Sequence, residues 1–428
     1  MSYPTNSRIT DRISADCLVL SGRVSESSKQ QHVEKVMRFA APISSSFRLV
    51  HVLLSDEGNS CGALSHNVLM HDVGAWREAY EETGLVFPLF YLISLLRIFV
   101  SALSFMKRYR IGIIANAWSH SVLGIVVVIL CKLTKRRSLI RVTGDFKVLH
   151  VAVEARFGWF VSKFLLVILS RLERYVLSHS DVIISVSPHL LRRFPKHAYK
   201  TVVIPDTNPV MELRPGSLSA KRSRESCRFG ILFVGRLEPE KGIEVLLHAL
   251  SEVKRIPVTC TIIGHGSQRR RIEGIIRHLN LSNTVRLVGR QSQESVYEFM
   301  RTADLIVLPS VSEYTPNVLV EAAALEVPII ASSVGGIPYM FRDGVSCVLF
   351  ETMNPKDLSE KILFLAENPG FRQMLAKNAK MVVNSDFSYD RITAKYAMVF
   401  KKMLWQTFRA KRPAVAKSAC TDHAPLVV

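Results

Sequence analysis

The chain is short of several features that would set it apart from ordinary globular proteins. Its seven cysteines, at 17, 61, 131, 227, 260, 347 and 420, form no C-x-x-C pair and no ligand-spaced cluster with histidine. Neither a disulfide scaffold nor a structural zinc site is expected. No D-x-D occurs, so the carboxylate pair that would hold a metal on a diphosphate is missing. Acidic residues are scarce as well: 36 Asp and Glu against 56 Lys and Arg give a net charge of +20. That balance favours an anionic partner, whether nucleic acid, a phosphorylated small molecule or an acidic membrane surface. The first twenty residues lack the basic cap and apolar stretch of a signal peptide, so a cytoplasmic location is the expectation.

What is present is a globular composition. Of 428 residues, 48% are hydrophobic and 21% charged, enough apolar material for sizeable cores. At about 150 residues per domain, two or three domains are expected. The positive charge is uneven, with residues 101–200 holding 17 basic side chains against 4 acidic ones. Three apolar runs interleave with them, at 85–106, 122–133 and 157–169. The first has the length of a membrane span, but Pro88 and Arg97 count against insertion, so it reads as a helix packed on a sheet. The other two are too short to span. With Lys107, Arg108, Arg110, Lys132, Lys135, Arg136 and Arg137 beside them, these helices suit a domain resting one face on an anionic bilayer. They suit equally a set of core helices with a solvated basic rim.

Apolar strands alternate with helical stretches. In the first half, strands are predicted at 17–21, 47–54, 111–117, 138–144 and 181–187, with helices over 29–40, 88–106, up to 133, and 157–177. After a polar, basic, turn-rich segment at 214–228 the pattern restarts. Strands follow at 229–235, 258–264, 284–289, 305–310 and 328–332, with helices over 242–255, 268–279, 293–302 and 317–325. Such alternation means βαβ units and parallel sheets. The expected class is α/β, as two doubly wound Rossmann-like domains. The expected boundaries are 1–208, a linker over 209–228, a second domain over 229–390, and a C-terminal helix with a disordered tail over 391–428. Ligands of such sheets bind beyond the carboxyl ends of the strands, so two facing domains predict a cleft between them.

Two segments of the second half carry chemistry. In GRLEPEKG, 235–242, Gly235 ends a strand without a side chain, and Arg236 and Lys241 bring two cations near a helix start, a pattern suited to phosphate. In PSVSEYTPNVLVEAAA, 309–324, a strand leaves through a polar turn into a helix, with Glu313 on the turn and Glu321 within the helix. The amides of Tyr314, Thr315, Asn317 and Val318 are placed to hold anionic oxygens. A carboxylate accepting from adjacent hydroxyls is how a sugar is gripped. Gly335 and Gly336, before Pro338, close a further strand-to-helix turn. The triplet Arg269, Arg270 and Arg271 reads as a solvated helix face more readily than as a nucleic-acid patch.

With GRLEPEKG, the stretch 262–289, ADLIVLPS, the two glutamates eight residues apart and ASSVGGIP in this order, the chain resembles the retaining glycosyltransferases of family 4, which have the GT-B fold. The likeness is strong over 229–365 and looser before it, where IRVTGDF at 140–146 carries it. The resemblance implies that Arg236 and Lys241 contact the donor's diphosphate and stabilise the leaving nucleotide. It implies that Glu321 binds ribose, that Glu313 lies beside the transferred sugar, and that Thr315, Pro316 and Asn317 approach sugar and phosphate. Gly264 and 287–289, Val288 among them, would wall the nucleobase, and Asp145 would face the reacting anomeric carbon. His120, after a strand, is a candidate acceptor contact.

The implied co-substrate is a UDP- or GDP-type nucleotide sugar, with no cofactor, no metal and no nucleic acid, and the implied acceptor is a glycan or a lipid-linked molecule. The protein would then work at the inner face of the cytoplasmic membrane, in cell-surface polysaccharide or lipopolysaccharide synthesis. Rival readings are a GT-B phosphorylase or epimerase, and a basic membrane- or nucleic-acid-binding protein with a vestigial cleft. Three positions depart from the family pattern: Glu326 and Cys347, where glycine is usual, and Tyr339, where an acidic residue is common. They bear on donor preference. Gly22 alone stands where many members have a glycine-rich loop.

Overall fold

The computed structural model describes residues 16–23, 39–40, 42–44, 46–55, 62–65, 67–72, 87–116, 122–144, 163–164, 166–206 and 228–410. The chain divides into two compact units: Met1–Pro205 together with Ile392–Val428, and Asp206–Arg391. His120, Asp145, most of the 29–40 helix, most of the 209–228 linker and the end of the tail lie outside the described residues.

The first unit is built on an eight-stranded sheet. Its strands are β1 (Asp16–Arg23), β2 (Val50–Ser55), β3 (Gly62–Ser65), β4 (Val68–Asp72), β5 (Ile111–Asn116), β6 (Arg137–Val142), β7 (Val182–Ser185) and β8 (Thr201–Val203), in the order β3-β4-β2-β1-β5-β6-β7-β8. Cys17 stands opposite Val50 on one side and Ile113 on the other, and residues 16–21 of β1 are all buried, as expected of a parallel strand covered on both faces. The expectation of a wholly parallel sheet is corrected at one edge. There β3 and β4 form an antiparallel hairpin, because the few residues between them leave no room for a crossover helix. β3, β4 and β8 were not predicted. At three to five residues each, they are too short for alternation to show.

One face of this sheet is covered by the C-terminal helix. Ile392, Tyr396, Phe400 and Met403 join Cys17, Val19, Val52, Ile113 and Leu139 in a single core, with Phe47 and Phe400 meeting edge to face at 4.8 Å. The sequence set 391–428 apart, whereas by contact Ile392–Val428 belongs to the first unit. The other face carries three helices: α1 (Phe87–Arg108), α2 (Val122–Thr134) and α3, over 166–179. Gly124 lets α2 approach α3, since a Cβ there would lie 2.7 Å from Val176 Cγ1. A short helix, α4 (Pro188–Leu191), follows β7, capped by the Ser187 side chain.

The second unit has six parallel strands: β9 (Phe229–Val234), β10 (Val258–Ile263), β11 (Val285–Gly289), β12 (Leu305–Leu308), β13 (Ile329–Ser332) and β14 (Val348–Phe350). Their order is β11-β10-β9-β12-β13-β14. Counted within the unit this is 3-2-1-4-5-6, the order of dinucleotide-binding sheets, whose ligands sit where the strand order reverses. Here that point lies between β9 and β12. The helices of this unit are α5 (Ile243–Glu252), α6 (Arg269–His278), α7 (Gln293–Thr302), α8 (Asn317–Ala324), α9 (Ile337–Met340), α10 (Pro355–Glu367) and α11 (Pro369–Asp386); the C-terminal helix already described, α12 (Tyr389–Ala410), belongs from Ile392 onward to the first unit. The predicted strands and helices of this unit recur within a few residues, and β14 is the strand the sequence reading missed.

Candidate active site

The loops leaving β9, β10, β12 and β13 meet at the carboxyl ends of the second sheet. Main chain locks them together. The Leu237 amide donates to the His265 carbonyl at 2.9 Å, the Val311 amide to the Glu240 carbonyl at 2.8 Å, and the Gly336 amide to the Glu313 carbonyl at 3.0 Å. Two glycines make the approach possible. Gly264, at φ +150°, would place a Cβ 1.8 Å from the Gly235 carbonyl oxygen, and Gly242, at φ +62°, would place one 2.1 Å from that of Pro309. No side chain fits at either position without parting the loops.

This scaffold brings Lys241 and Glu313, 72 residues apart in sequence, into direct contact. Lys241 Nζ lies 2.5 Å from Glu313 Oε1. Ser310 Oγ donates to the same oxygen at 2.8 Å, and Ser332 Oγ donates in turn to the Ser310 carbonyl. Ser310, Ser332 and Glu313 are buried, and Lys241 is half-buried. Both bonds fall on Oε1, so the free valence of the carboxylate is at Oε2, which accepts none among the described residues. A carboxylate held by one oxygen and open at the other is suited to accept from a hydroxyl of a bound molecule.

The remaining predicted residues fall around this pair. Pro316 caps α8 in an extended conformation (φ −69°, ψ 105°), so Asn317 and Val318 form its first turn, where amides have no acceptor in a preceding turn. Thr315 is half-buried on the loop before it, and Glu321 is buried one turn into the helix. Gly264 donates to the Gly289 carbonyl at 2.9 Å, which ties the β10 loop to the end of β11 beside Val288. Arg236 differs from its sequence partner. It is exposed and ion-paired at 2.5 Å with Glu240, one turn away, so the two cations hold different carboxylates.

Sequence reasoning missed four contributors. Ser310 and Ser332 fix Glu313, and the serine directly after the β12 strand was the available signal. Glu238 and Ser267 clasp the β9 and β10 loops: Glu238 accepts from the Ser267 amide at 3.0 Å and hydroxyl at 2.6 Å. Burial pushes the Glu238 carboxyl up, but these two bonds and the Arg236 charge outweigh it and hold the group below its ordinary range.

Two departures from the family pattern are not near the site. Glu326 follows α8 at the opposite, amino-terminal edge of the sheet, because the helix carries the chain back across it. It adopts φ +55°, which explains why glycine suits the position, and pairs with Lys380 at 2.7 Å. Cys347 is a core residue whose thiol is pushed up to about 12 by burial, with Asp343 adding to it. Tyr339 is exposed on α9, directly after the Gly335–Gly336 turn. Within the arginine triplet, Arg269 pairs with Glu273 at 3.0 Å and Arg271 with Glu244 at 2.6 Å, in keeping with a solvated face.

Comparison with known proteins places this site in context. Residues 219–382 match the family model described as glycosyl transferases group 1. An uncharacterized glycosyltransferase of Methanocaldococcus jannaschii is 32% identical over 230 residues, 54% of this chain and 62% of that one. Over the first few such relatives, the chain spans between about two-fifths and three-fifths of their length. Among solved structures, sucrose-phosphate synthase from Thermosynechococcus elongatus aligns with a TM-score of 0.72 at 21% identity, over 93% of this chain and all of that one. HepE from Anabaena, in complex with UDP-glucose, aligns with a TM-score of 0.66 at 18% identity, over 91% of this chain and all of that one. The fold is thus that of the GT-B glycosyltransferases, two Rossmann-like units.

Proposed function

We propose that the chain is a retaining glycosyltransferase of family 4, which moves a hexose from a UDP- or GDP-sugar to a glycan or lipid-linked acceptor without a metal ion. The observation that carries this reading is the Lys241–Glu313–Ser310 cluster at the point where the strand order reverses. A diphosphate arriving there competes with Glu313 for Lys241. Lys241, Arg236 and the first-turn amides of α8 then neutralise the charge that grows on the departing nucleotide, each such contact contributing about 3 kcal/mol at the transition state. Glu313 Oε2 accepts from a hydroxyl of the transferred sugar, Glu321 from the ribose, and Gly264 and Val288 flank the base. With the leaving group and the attacking hydroxyl on one face, configuration is retained. HepE, which binds UDP-glucose, supports the choice of donor class. The acceptor is assigned to polysaccharide or lipopolysaccharide synthesis at the inner face of a membrane, with Asp145 given the catalytic role at the reacting anomeric carbon and His120 that of an acceptor contact.

A thermal-shift series with UDP, GDP, ADP and their sugars tests the reading. The matching nucleotide at 100 times its dissociation constant adds about 2.7 kcal/mol of stability. No shift with any of them contradicts the assignment. Transfer that survives EDTA, giving a product with the donor's anomeric configuration, supports the metal-free, retaining course. Loss of activity restored by magnesium or manganese contradicts the first part, and an inverted product the second.

A further inference from the structure

The helical face of the first unit exposes a surface that the transfer reaction does not use. On α1, Leu96 is 60% exposed and Val100 stands one turn on; on α2, Ile129 and Leu133 repeat the spacing, with Leu133 64% exposed. On α3, Val167, Ile168 and Tyr175 do the same, and Phe164, helical and just ahead of them, is 70% exposed. Each helix has a separate stripe for the core, such as Ile98 and Ala102 of α1 or Leu169 and Val176 of α3. The outward stripes are therefore a second apolar face. They are neighbours: α1 packs on α2, and α2 meets α3 at Gly124 against Val176 and where Lys132 Nζ reaches the Tyr175 hydroxyl at 3.1 Å. Lys132 also sits 5.0 Å over the Tyr175 ring.

The charge along these helices is mostly of one sign. Segments 87–108, 122–137 and 163–179 contain ten lysines and arginines and a single carboxylate, Glu173. Glu173 is buried, 3.6 Å from Arg193. Arg137 is paired with Asp181 at 2.5 Å, and Lys107, Arg108, Lys135 and Arg136 add to the cationic excess. Aliphatic groups ringed by an excess of cations match one partner in both respects, an anionic lipid bilayer, where side chains enter the headgroup boundary and the cations meet lipid phosphates. A nucleic acid would leave Leu96, Val100, Ile129 and Leu133 without a counterpart. A second copy meeting this face about a two-fold axis would set cations against cations. Among the described residues no helix is long and apolar enough to cross a membrane, so contact with the surface is the mode that remains for this face.

We propose that α1, α2 and α3 form a docking face that seats the protein on an anionic bilayer through Leu96, Val100, Ile129, Leu133 and Phe164 and the basic rim around them. The idea deepens the functional reading, since it carries the first unit to a lipid-borne acceptor. Lipid binding itself does not depend on donor binding.

The test is flotation of the full-length protein with vesicles of phosphatidylglycerol in phosphatidylcholine, and of phosphatidylcholine alone, across a salt series. Binding to the anionic vesicles that falls steeply with salt is expected, with little binding to the neutral ones. Lys135→Asn with Arg136→Gln should weaken it about thirtyfold, at about fivefold per cation; asparagine suits Lys135, whose φ is +54°. Leu96→Ser with Leu133→Ser should also weaken it, without changing the melting shift given by nucleotide. Several results overturn the proposal: no binding to anionic vesicles at low salt, equal binding to neutral vesicles, or binding unaffected by both variants. A dimer that dissociates in the leucine variant, with no vesicle binding, overturns it in favour of self-association. Nucleotide binding separates the two ideas: vesicle binding lost with the nucleotide shift intact sinks only the docking face, and the converse sinks only the transferase reading.

Discussion

Each unit holds a cluster of paired charges on the same kind of sheet, and the clusters differ in where the sheet puts them. In the second unit, Lys241, Glu313 and Ser310 ride on loops leaving the carboxyl ends of β9 and β12. In the first, fully buried Asp16 opens β1 and takes two bonds from Arg48, at 3.0 and 2.7 Å. His51 Nδ1 lies 3.1 Å from His71 Nε2 beside it, under Phe105 and Tyr109 at the end of α1. A carboxylate and a cation in contact are thus not enough to make a site. At the entrance to a strand, the neighbouring strands bury the Asp16 carboxylate completely and exposed Arg48 covers it from the solvent side, so no oxygen is left open to a ligand. At the exit, loops part, glycines allow close passage and helix amides point outward, so the pair can meet a ligand.

The widest break in this comparison is Lys241→Ala, which should cut the transfer rate about a hundredfold or more while the first unit melts unchanged. A wild-type rate in that variant would erase the distinction between the clusters. Arg48→Ala should do the reverse: it leaves buried Asp16 without its cation and lowers the melting temperature of the first unit, while the transfer rate stays as in wild type. Melting that matches wild type would show the Asp16 pair to be ornamental.

Acid sharpens the contrast. Burial, then the His71 charge, hold His51 down to about 4 against an ordinary 6.5, although Asp16 pulls the other way and Arg48 adds to the depression. His71 is also lowered, by burial and by Arg108. The unfolded chain therefore takes up protons that the folded one refuses, and stability falls as pH drops from about 6.5 towards about 4. The limiting slope is about 1.4 kcal/mol per pH unit for one histidine. Melting curves of wild type and His51→Phe check this, the variant being expected to lose most of that slope. The smallest effect is expected of Ser310→Ala. Removing one bond to Glu313 Oε1 costs about 1 kcal/mol, seen as a fall in kcat of about fivefold with nucleotide affinity kept. Equal loss of affinity and kcat would mean that Ser310 merely supports the fold.

How much of this was legible in the sequence also differs between the units. The second could be read closely, because its five predicted strands are mostly apolar runs of four to six residues and the first four are each followed by a helix of eight to ten, so periodicity changes cleanly. Glu313 on the turn and Glu321 in the helix were placed correctly by that reading. What stayed hidden was pairing across the fold. Nothing local joins Lys241 to a carboxylate 72 residues on, or separates Arg236 from it by giving it Glu240. In the first unit the short strands β3, β4 and β8 escaped, and the apolar runs could not be divided between core and surface. A helix such as α2, with Val127 buried and Leu133 exposed, is apolar on both sides, and only its neighbours decide which side is covered.

The proposed transfer depends on the β9–β12 exit binding a nucleotide diphosphate through Lys241. Calorimetric titration of the full-length protein and of Lys241→Ala with UDP and GDP tests it most directly. Saturable binding of one of them by the wild type is expected, weakened about tenfold or more in the variant, a loss of at least ~1.4 kcal/mol. Binding of equal strength in both proteins, or no binding of either nucleotide by the wild type, would contradict it.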